Sequence, residues 1–347
     1  MAENDGTSAK RLTIYDLAQI AGTSPSAVSS VLNGTWKKRR ISDRLAERIT
    51  RIAEEQGYAV NLQASVLRRE RSRIVGMIVP KYDNRYFGAI AEQFEAMARA
   101  RDLFPVVTCT RREADLEFAA ARALVSYQVE SLIVTGATEP DRIGDFCRAA
   151  GVRVINLDLP GSNMPSVVSD NFTGARDLTR LILTRIRRDF GKQFPLFFIG
   201  GRAYDHNTRE RLRGFMTAHQ EAGLSVPEDR IIMHGYAPEK NEAVMDELDL
   251  PDHSAIFVNS TIALEGVVRA LHRRRHDGPT GLRFGCFDWD PFAALMQENV
   301  GMAQQDVSAM LLKVFDLVDH PPEGAPQIMI PCILRPIENG EEVPLRS

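Results

Sequence analysis

Leu12-Thr-Ile-Tyr-Asp-Leu-Ala-Gln-Ile-Ala-Gly-Thr-Ser-Pro-Ser-Ala-Val-Ser-Ser-Val-Leu-Asn-Gly34 decides the reading of the first part of this 347-residue chain. Thr13 is placed to cap a helix, with Asp16 at its third position. Ile14, Leu17, Ala18 and Ala21 follow at i, i+3, i+4 and i+7, so one face is apolar and turns inward. Gly22 supplies a turn, Ser24 can cap again, and Pro25 suits the first position of a second helix. In that helix Ala27, Val28, Val31 and Leu32 form the buried stripe, which leaves Pro25, Ser26, Ser29 and Ser30 facing outward. Two short helices joined by a tight turn, the second polar on its free face, make the unit that reads DNA.

Any small helical hairpin has similar patterning, so the neighbouring sequence matters. Ser42 is expected to cap a third helix, in which Leu45, Ile49, Ile52 and Ala53 close a three-helix core. Basic residues crowd one edge at Lys37-Lys-Arg-Arg40. Asn61-Leu-Gln-Ala64-Ser-Val-Leu67 comes next and runs into Arg68-Arg-Glu-Arg71-Ser-Arg73.

These residues, in this order and spacing, resemble the lactose-repressor/galactose-repressor (LacI/GalR) family of transcription regulators. The likeness rests on Thr13-Ile-Tyr-Asp-Leu-Ala18, Ala21-Gly22, Val28-Ser29, Val31-Leu-Asn33-Gly34, Ile41-Ser42, Gly57-Tyr58 and Asn61-x-x-Ala64-x-x-Leu67. It extends more loosely through the rest of the chain. Asn33 to Ser42 and Phe287-Asp-Trp-Asp-Pro-Phe292 are similar to the fructose-repressor (catabolite repressor-activator) subgroup. The resemblance implies that residues around Asn61 and Ala64 form a hinge helix when two subunits meet on DNA. It also implies that Leu67 wedges into a central minor-groove step, where an apolar side chain unstacks bases and kinks the duplex. A segment this short is not helical alone in water, so its folding would be coupled to binding. Two positions depart from the family: Val60 stands where a proline is frequent, and Ser30 where an arginine often contacts guanine. On this reading Pro25, Ser26, Ser29 and Ser30 address base edges, while Thr13, Tyr15, Ser24, Asn33, Arg39 and Arg40 position the backbone.

Charge supports the same division. Residues 1–73 hold 13 Lys and Arg against 8 Asp and Glu, a balance of +5, and the remainder stands at −8. A basic head on an acidic body suits one part held on phosphates while the rest stays clear. Cys109, Cys147, Cys286 and Cys332 share no metal-ligand spacing, so free thiols in a reducing cytoplasm are expected and no metal or cofactor is. The polar first eleven residues give no sign of a secretory leader, and no apolar stretch reaches the length of a membrane span.

From Ile74 the pattern alternates between apolar strands and helices, the mark of parallel sheets covered on both faces. Strands are expected at 74–79, 104–109, 131–134 and 152–156, then again at 195–199, 231–233, 255–258 and 282–286. Two such units in succession predict a two-lobed α/β body with a cleft at the carboxyl ends of its strands. The family resemblance implies a periplasmic-binding-protein-like fold with three crossovers, near Asp170, Met302 and Ile328. The expected plan is a disordered tail (1–11), a helix-turn-helix domain (12–59), a hinge (60–72) and an effector-binding and dimerisation domain (73–347). Its lobes would be 73–168 with 303–328, and 169–302 with 329–347. No phosphate-binding glycine loop, nucleophile elbow or metal set is present, so no catalytic residues are assigned.

Strand ends that also match family pocket positions give the effector candidates Tyr82, Asn84, Phe87, Asp158, Asp170, Arg211, Asn259, Asp288, Trp289 and Gln305. Several have plainer readings: Phe87 as core, Asp158, Asp170 and Asn259 as caps, and Trp289 as lid or core. Arg211, in Arg211-Leu-Arg-Gly-Phe215, matches the family's Arg-x-x-Gly-aromatic helix, and its fork suits hydroxyls or phosphate. Arg209 and Arg213 are expected to face solvent. Polar groups with few aromatics favour a sugar or sugar phosphate over a nucleobase. Lys81 and Arg85 add positive charge at the cleft mouth, which suits a phosphate, whereas Leu159 replaces a frequent arginine. The whole predicts a cytoplasmic DNA-binding regulator, a homodimer or dimer-based tetramer on a pseudo-palindromic operator. A stand-alone solute-binding protein is the alternative.

Overall fold

The computed structural model describes residues 12–58, 72–274 and 281–343. The hinge candidates Asn61, Ala64 and Leu67, and the expected tail 1–11, lie outside those residues. The chain divides into two compact units, Met1–Ser72 and Arg73–Ser347.

In the first unit, helices run over Ile14–Ile20, Pro25–Leu32 and Asp43–Glu55. Thr13 forms a full capping box with Asp16, its hydroxyl accepting from the Asp16 amide while the Asp16 carboxylate accepts from the Thr13 amide. Ser24 and Ser42 cap the next two helices by accepting from the amides of Ala27 and Leu45. Gly22, at φ +59°, makes the turn that a side chain would strain. Leu17, Ala18, Ala21, Val28, Val31, Ala46, Ile49, Ile52 and Ala53 form the core. A short 3₁₀ turn at Trp36–Arg39, absent from the expectation, lies between the second and third helices.

The described residues of the second unit contain two large sheets and a two-stranded antiparallel pair, Gly201–Arg202 with His234–Gly235. The strands in chain order are β1 Ile74–Val79, β2 Phe104–Cys109, β3 Ser131–Thr135, β4 Arg153–Leu157, β5 Ser166–Ser169, β6 Leu196–Ile199, β7 Gly201–Arg202, β8 Ile231–Ile232, β9 His234–Gly235, β10 Ala255–Val258, β11 Arg283–Phe287, β12 Asn299–Gln304, β13 Gln327–Ile330, β14 Ile333–Glu338 and β15 Glu341–Glu342. The first lobe is a parallel sheet of order β13-β5-β4-β3-β1-β2. One face is covered by helices Arg85–Arg99 and Val307–Asp319, where Phe94 stacks on Phe315. Helices Ala114–Ser126 and Pro140–Ala149 cover the other.

The second lobe has order β15-β14-β12-β11-β10-β6-β8, parallel except for β14 and β15 at one edge. Helices Asn171–Phe190 and His206–Glu221 pack on one face, and Pro238–Glu247 and Thr261–Arg273 on the other. Strands that are buried on both faces explain why these segments read as unbroken apolar runs.

The chain crosses between lobes three times. The first crossing lies at Asp170, between β5 and the helix Asn171–Phe190. The second falls after Gln304, since β12 continues in register against β11 and β14 as far as Ala303 and Gln304. The third falls after Ile330, because Met329 and Ile330 still pair with Val168 and Ser169.

Candidate functional site

The first unit presents the second helix with a polar outer side. Ser26 is exposed, Pro25 and Ser29 are half-exposed, and Tyr15, Thr13, Ser24, Arg39 and Arg40 all reach the surface. The Arg39 guanidinium donates to the Ser26 hydroxyl at 3.1 Å, so a base-edge candidate and a phosphate candidate stand side by side. Asn33 closes the helix by donating to the carbonyl and hydroxyl of Ser29.

Ser30 is different. Only 4% of its surface is accessible, and its hydroxyl donates to the Ser26 carbonyl. The chain after the helix folds back here: the amide and hydroxyl of Thr35 both donate to the Ser30 carbonyl. Ser30 is therefore withdrawn as a base contact. Its helix alone leaves it outward, and the following turn covers it.

In the second unit, a cavity of about 440 Å³ lies where the carboxyl ends of the two sheets face each other. Two aspartates define its floor. Asp158 follows β4 at φ +74° and Asp288 follows β11 at φ +72°, one from each lobe, both buried. Asp158 accepts from the Tyr86 hydroxyl at 3.1 Å and from the Asn207 amide at 3.0 Å. Asp288 accepts from the side-chain amide of Gln305 and the backbone amide of Thr261. Burial pushes both carboxyls up. Arg112 and then Arg211 oppose this at Asp158, and Arg211 leads the opposition at Asp288.

Arg211 is nearly inaccessible, at 3%. Its Nε donates to Asn171 Oδ1 at 2.7 Å, one Nη to the Asn259 carbonyl, and its guanidinium lies 3.7 Å from the centre of the Phe287 ring. Those bonds use two of its five N–H donors, and among the described residues no carboxylate pairs with it directly. Asn259 is fully buried behind Arg211, donating to Thr208 Oγ1, and so orients the arginine. Gly201 makes that approach possible: at φ +84°, a Cβ there would sit 2.2 Å from Asn259 Nδ2.

Of the sequence candidates, Asn84, Phe87, Asp158, Arg211, Asp288 and Gln305 line this cavity. Phe87 also belongs to the first lobe's core. Tyr82 and Trp289 line an adjoining chamber instead; Tyr82 is 54% exposed, and Trp289 packs partly into the second lobe beneath Arg335. Asp170 lies outside the cavity lining and caps Asn171–Phe190, accepting from the Thr173 amide.

Arg112, Asn171, Asn207, Tyr86 and Tyr236 were not foreseen. Arg112 follows β2 and bridges the lobes, 3.9 Å from Asp158 and 3.7 Å from Asp205, above the Tyr236 ring. The strand-end rule applied to β2 would have found it. Further cross-lobe ties join Asn84 to Thr261 and Arg85 to Asp290. Lys81 is likewise held, by Asp83. The two cations expected to enrich the cleft mouth are thus each paired with an acid.

Residues 72–313 match the family described as periplasmic binding proteins and sugar binding domain of LacI family. Residues 13–61 match the bacterial regulatory proteins, lacI family. The chain belongs to the LacI family. A protein named ribitol operon repressor, from Klebsiella aerogenes, is 61% identical over 193 residues, 56% of this chain and 72% of that one. The catabolite repressor/activator of Escherichia coli K12 is 26% identical over 330 residues, 91% and 95% of the two chains. The ribitol-operon relative therefore stands nearer than this fructose-repressor-like one. Among solved structures, the Lac repressor dimer bound to operator and the anti-inducer ONPF shares the fold, with TM-score 0.73, 19% identity, and 94% and 98% of the two chains covered. This LacI-family protein is accordingly a DNA-binding transcriptional regulator with a sugar-binding body. No described helix is long and apolar enough to cross a membrane.

Proposed function

We propose that this regulator represses its target genes as a cytoplasmic homodimer on a pseudo-palindromic operator, and that a neutral polyol of the ribitol class releases it. The floor of the central cavity carries this reading. Asp158 and Asp288 offer fixed acceptors, while Arg211, Asn207 and Gln305 offer donors, which together suit the paired hydroxyls of a polyol. Lys81, Arg111, Arg112, Arg202 and Arg211 are balanced by Asp83, Asp158, Glu239, Glu265 and Asp288, so a neutral ligand leaves no charge unmatched. The relative named for a ribitol operon points the same way. Catalysis forms no part of this reading.

Ligand and operator are coupled by linkage, so the factor by which one alters the other's affinity is reciprocal. Titrating ribitol into the full-length protein, with and without DNA from its own upstream region, tests the reading. We expect ribitol to bind about tenfold more weakly to the operator complex, within the usual range of allosteric coupling. Equal affinities in both states would refute control by this ligand.

On DNA, Pro25, Ser26 and Ser29 are proposed to meet base edges, and Thr13, Tyr15, Ser24, Asn33, Arg39 and Arg40 the backbone. Residues 60–72, with Asn61 and Ala64, are proposed as the hinge and Leu67 as the minor-groove wedge. Arg39→Ala should weaken binding to all sequences and flatten the salt dependence by about one unit. A changed base preference would instead make Arg39, through Ser26, part of base recognition.

A further inference from the structure

The two lobes are tied together unevenly. At the start of helix Arg85–Arg99, Asn84 donates to Thr261 and Arg85 pairs with Asp290 at 2.8 Å. At the cavity floor, Asn207 of the second lobe donates to Asp158 of the first at 3.0 Å. On the β2 side the lobes stand apart. A second hollow of about 400 Å³ lies there, between residues 136–140 and 159–162 of the first lobe and residues 202–209 of the second. Arg112 stands at the neck between that hollow and the central cavity.

Arg112 faces two carboxylates, both beyond hydrogen-bond distance: Asp158 of its own lobe at 3.9 Å and Asp205 of the other at 3.7 Å. Asp158 is already satisfied, since the Tyr86 hydroxyl and the Asn207 amide donate to it. Asp205 is not. It is only 8% exposed, and its Oδ2 accepts no hydrogen bond among the described residues. Nor is the acid spent on its own helix: as N-cap of His206–Glu221 it makes no side-chain capping bond. A buried carboxylate oxygen without a donor is costly, and a cation about 1 Å too far away can remove that cost.

The acid is held on a rigid support. β7 pairs with β9, Gly201 with Gly235 and Arg202 with His234. Asp205 sits in the turn after β7, where its amide donates to the Arg202 carbonyl at 3.0 Å. Tyr236 follows β9, its hydroxyl 3.0 Å from Thr208 Oγ1, and the Arg112 guanidinium lies over its ring at 5.5 Å. An aromatic face of this kind supports a cation as it moves across it.

We propose that Arg112 and Asp205 are the two halves of a closing latch. As the effector draws the lobes together, Arg112 advances by about 1 Å, donates to Asp205 Oδ2 and holds the β2 side of the cleft shut. Asp205 is then a positioning residue, acting on the effector through Arg112 and the spacing of the lobes. Because effector binding and operator release are linked, the latch also sets how much effector release requires. The inference rests on the effector-release reading above and names a contact that carries it.

Ribitol calorimetry, hydrogen-exchange mass spectrometry and a thermal melt on the full-length protein test the latch, in wild type, Asp205→Asn, Arg112→Gln and the double variant. Arg112 lines the central cavity, so its loss mixes ligand contact with closure; Asp205 lies outside that lining, and its loss reports closure alone. We expect Asp205→Asn to melt as wild type does and to bind ribitol about tenfold more weakly, the worth of one charge-assisted hydrogen bond. It should also lose the protection from exchange that ribitol confers on residues 202–208. Adding Asp205→Asn to Arg112→Gln should change nothing further, because the pair acts as a unit. Wild-type affinity and protection in Asp205→Asn, or effects that add in the double variant, overturn the latch. So does a lowered melt in Asp205→Asn that Arg112→Gln does not share, which makes the acid a structural residue. Should ribitol fail to bind the wild type, the polyol reading falls and ligand-free exchange decides. Faster exchange at 202–208 in both single variants, no faster in the double, upholds the latch; unchanged exchange overturns it.

Discussion

Arg211→Ala should yield a repressor that holds its operator and no longer answers its effector. The guanidinium is almost wholly enclosed, stacked on Phe287 and anchored by Asn171 and the Asn259 carbonyl, so its remaining donors have a fixed direction. Removing it strips the ligand of charge-assisted hydrogen bonds, at about 2–3 kcal/mol, or some thirty- to hundredfold in affinity. A second cost falls on the protein. Arg211 is the leading influence opposing the burial that pushes the Asp288 carboxyl up, and it assists at Asp158. Without it both carboxyls should move further up, and the body should lose on the order of 1–3 kcal/mol as buried polar groups go unmatched. Calorimetry with ribitol, gel-shift titration and a thermal melt together check this. Normal ribitol affinity in a folded variant would place the effector elsewhere in the cleft.

The opposite phenotype is expected from Ile49→Ala. Ile49 has no accessible surface and sits in the middle of Asp43–Glu55, within the nine-residue core of the first unit. A buried isoleucine cut to alanine costs about 2–5 kcal/mol. A domain of this size has only a few kcal/mol of stability to lose. Specific operator binding should fall by at least about a hundredfold at 37 °C, while ribitol affinity in the absence of DNA stays within about twofold of wild type. Operator affinity close to wild type would mean that the head is far more stable than its core implies.

These two sites differ in how much of them could be read from sequence. Thr13 with Asp16, Ser24 and Ser42 cap through bonds to residues three positions away, so spacing alone locates them. Ser30 defeats the same reasoning, because its burial comes from Thr35 and the turn beyond, outside its own helix. Helix Asn171–Phe190 was not assigned from sequence, because interspersed charged residues hide the stripe that Ala175, Leu178, Ile182 and Ile186 form at helical spacing. Asp158 and Asp288 were found as strand ends, and so was Asp170, which proves to be a helix cap. The local signature of the three is alike. What separates them is whether Tyr86, Asn207 or Gln305 arrives from far along the chain, and no short window contains that information.

The three lobe crossings have a consequence for how such a molecule can be recombined. The boundary between the two compact units falls at one point in the chain, between Ser72 and Arg73. A foreign head joined there brings a new DNA address through a single splice and leaves the sensing machinery untouched. Exchanging one lobe would need three splices, at Asp170, after Gln304 and after Ile330, each bordering residues that hold the cleft together. Inheritance should therefore shuffle address against signal freely, while the two halves of the sensor change only in step, one substitution at a time.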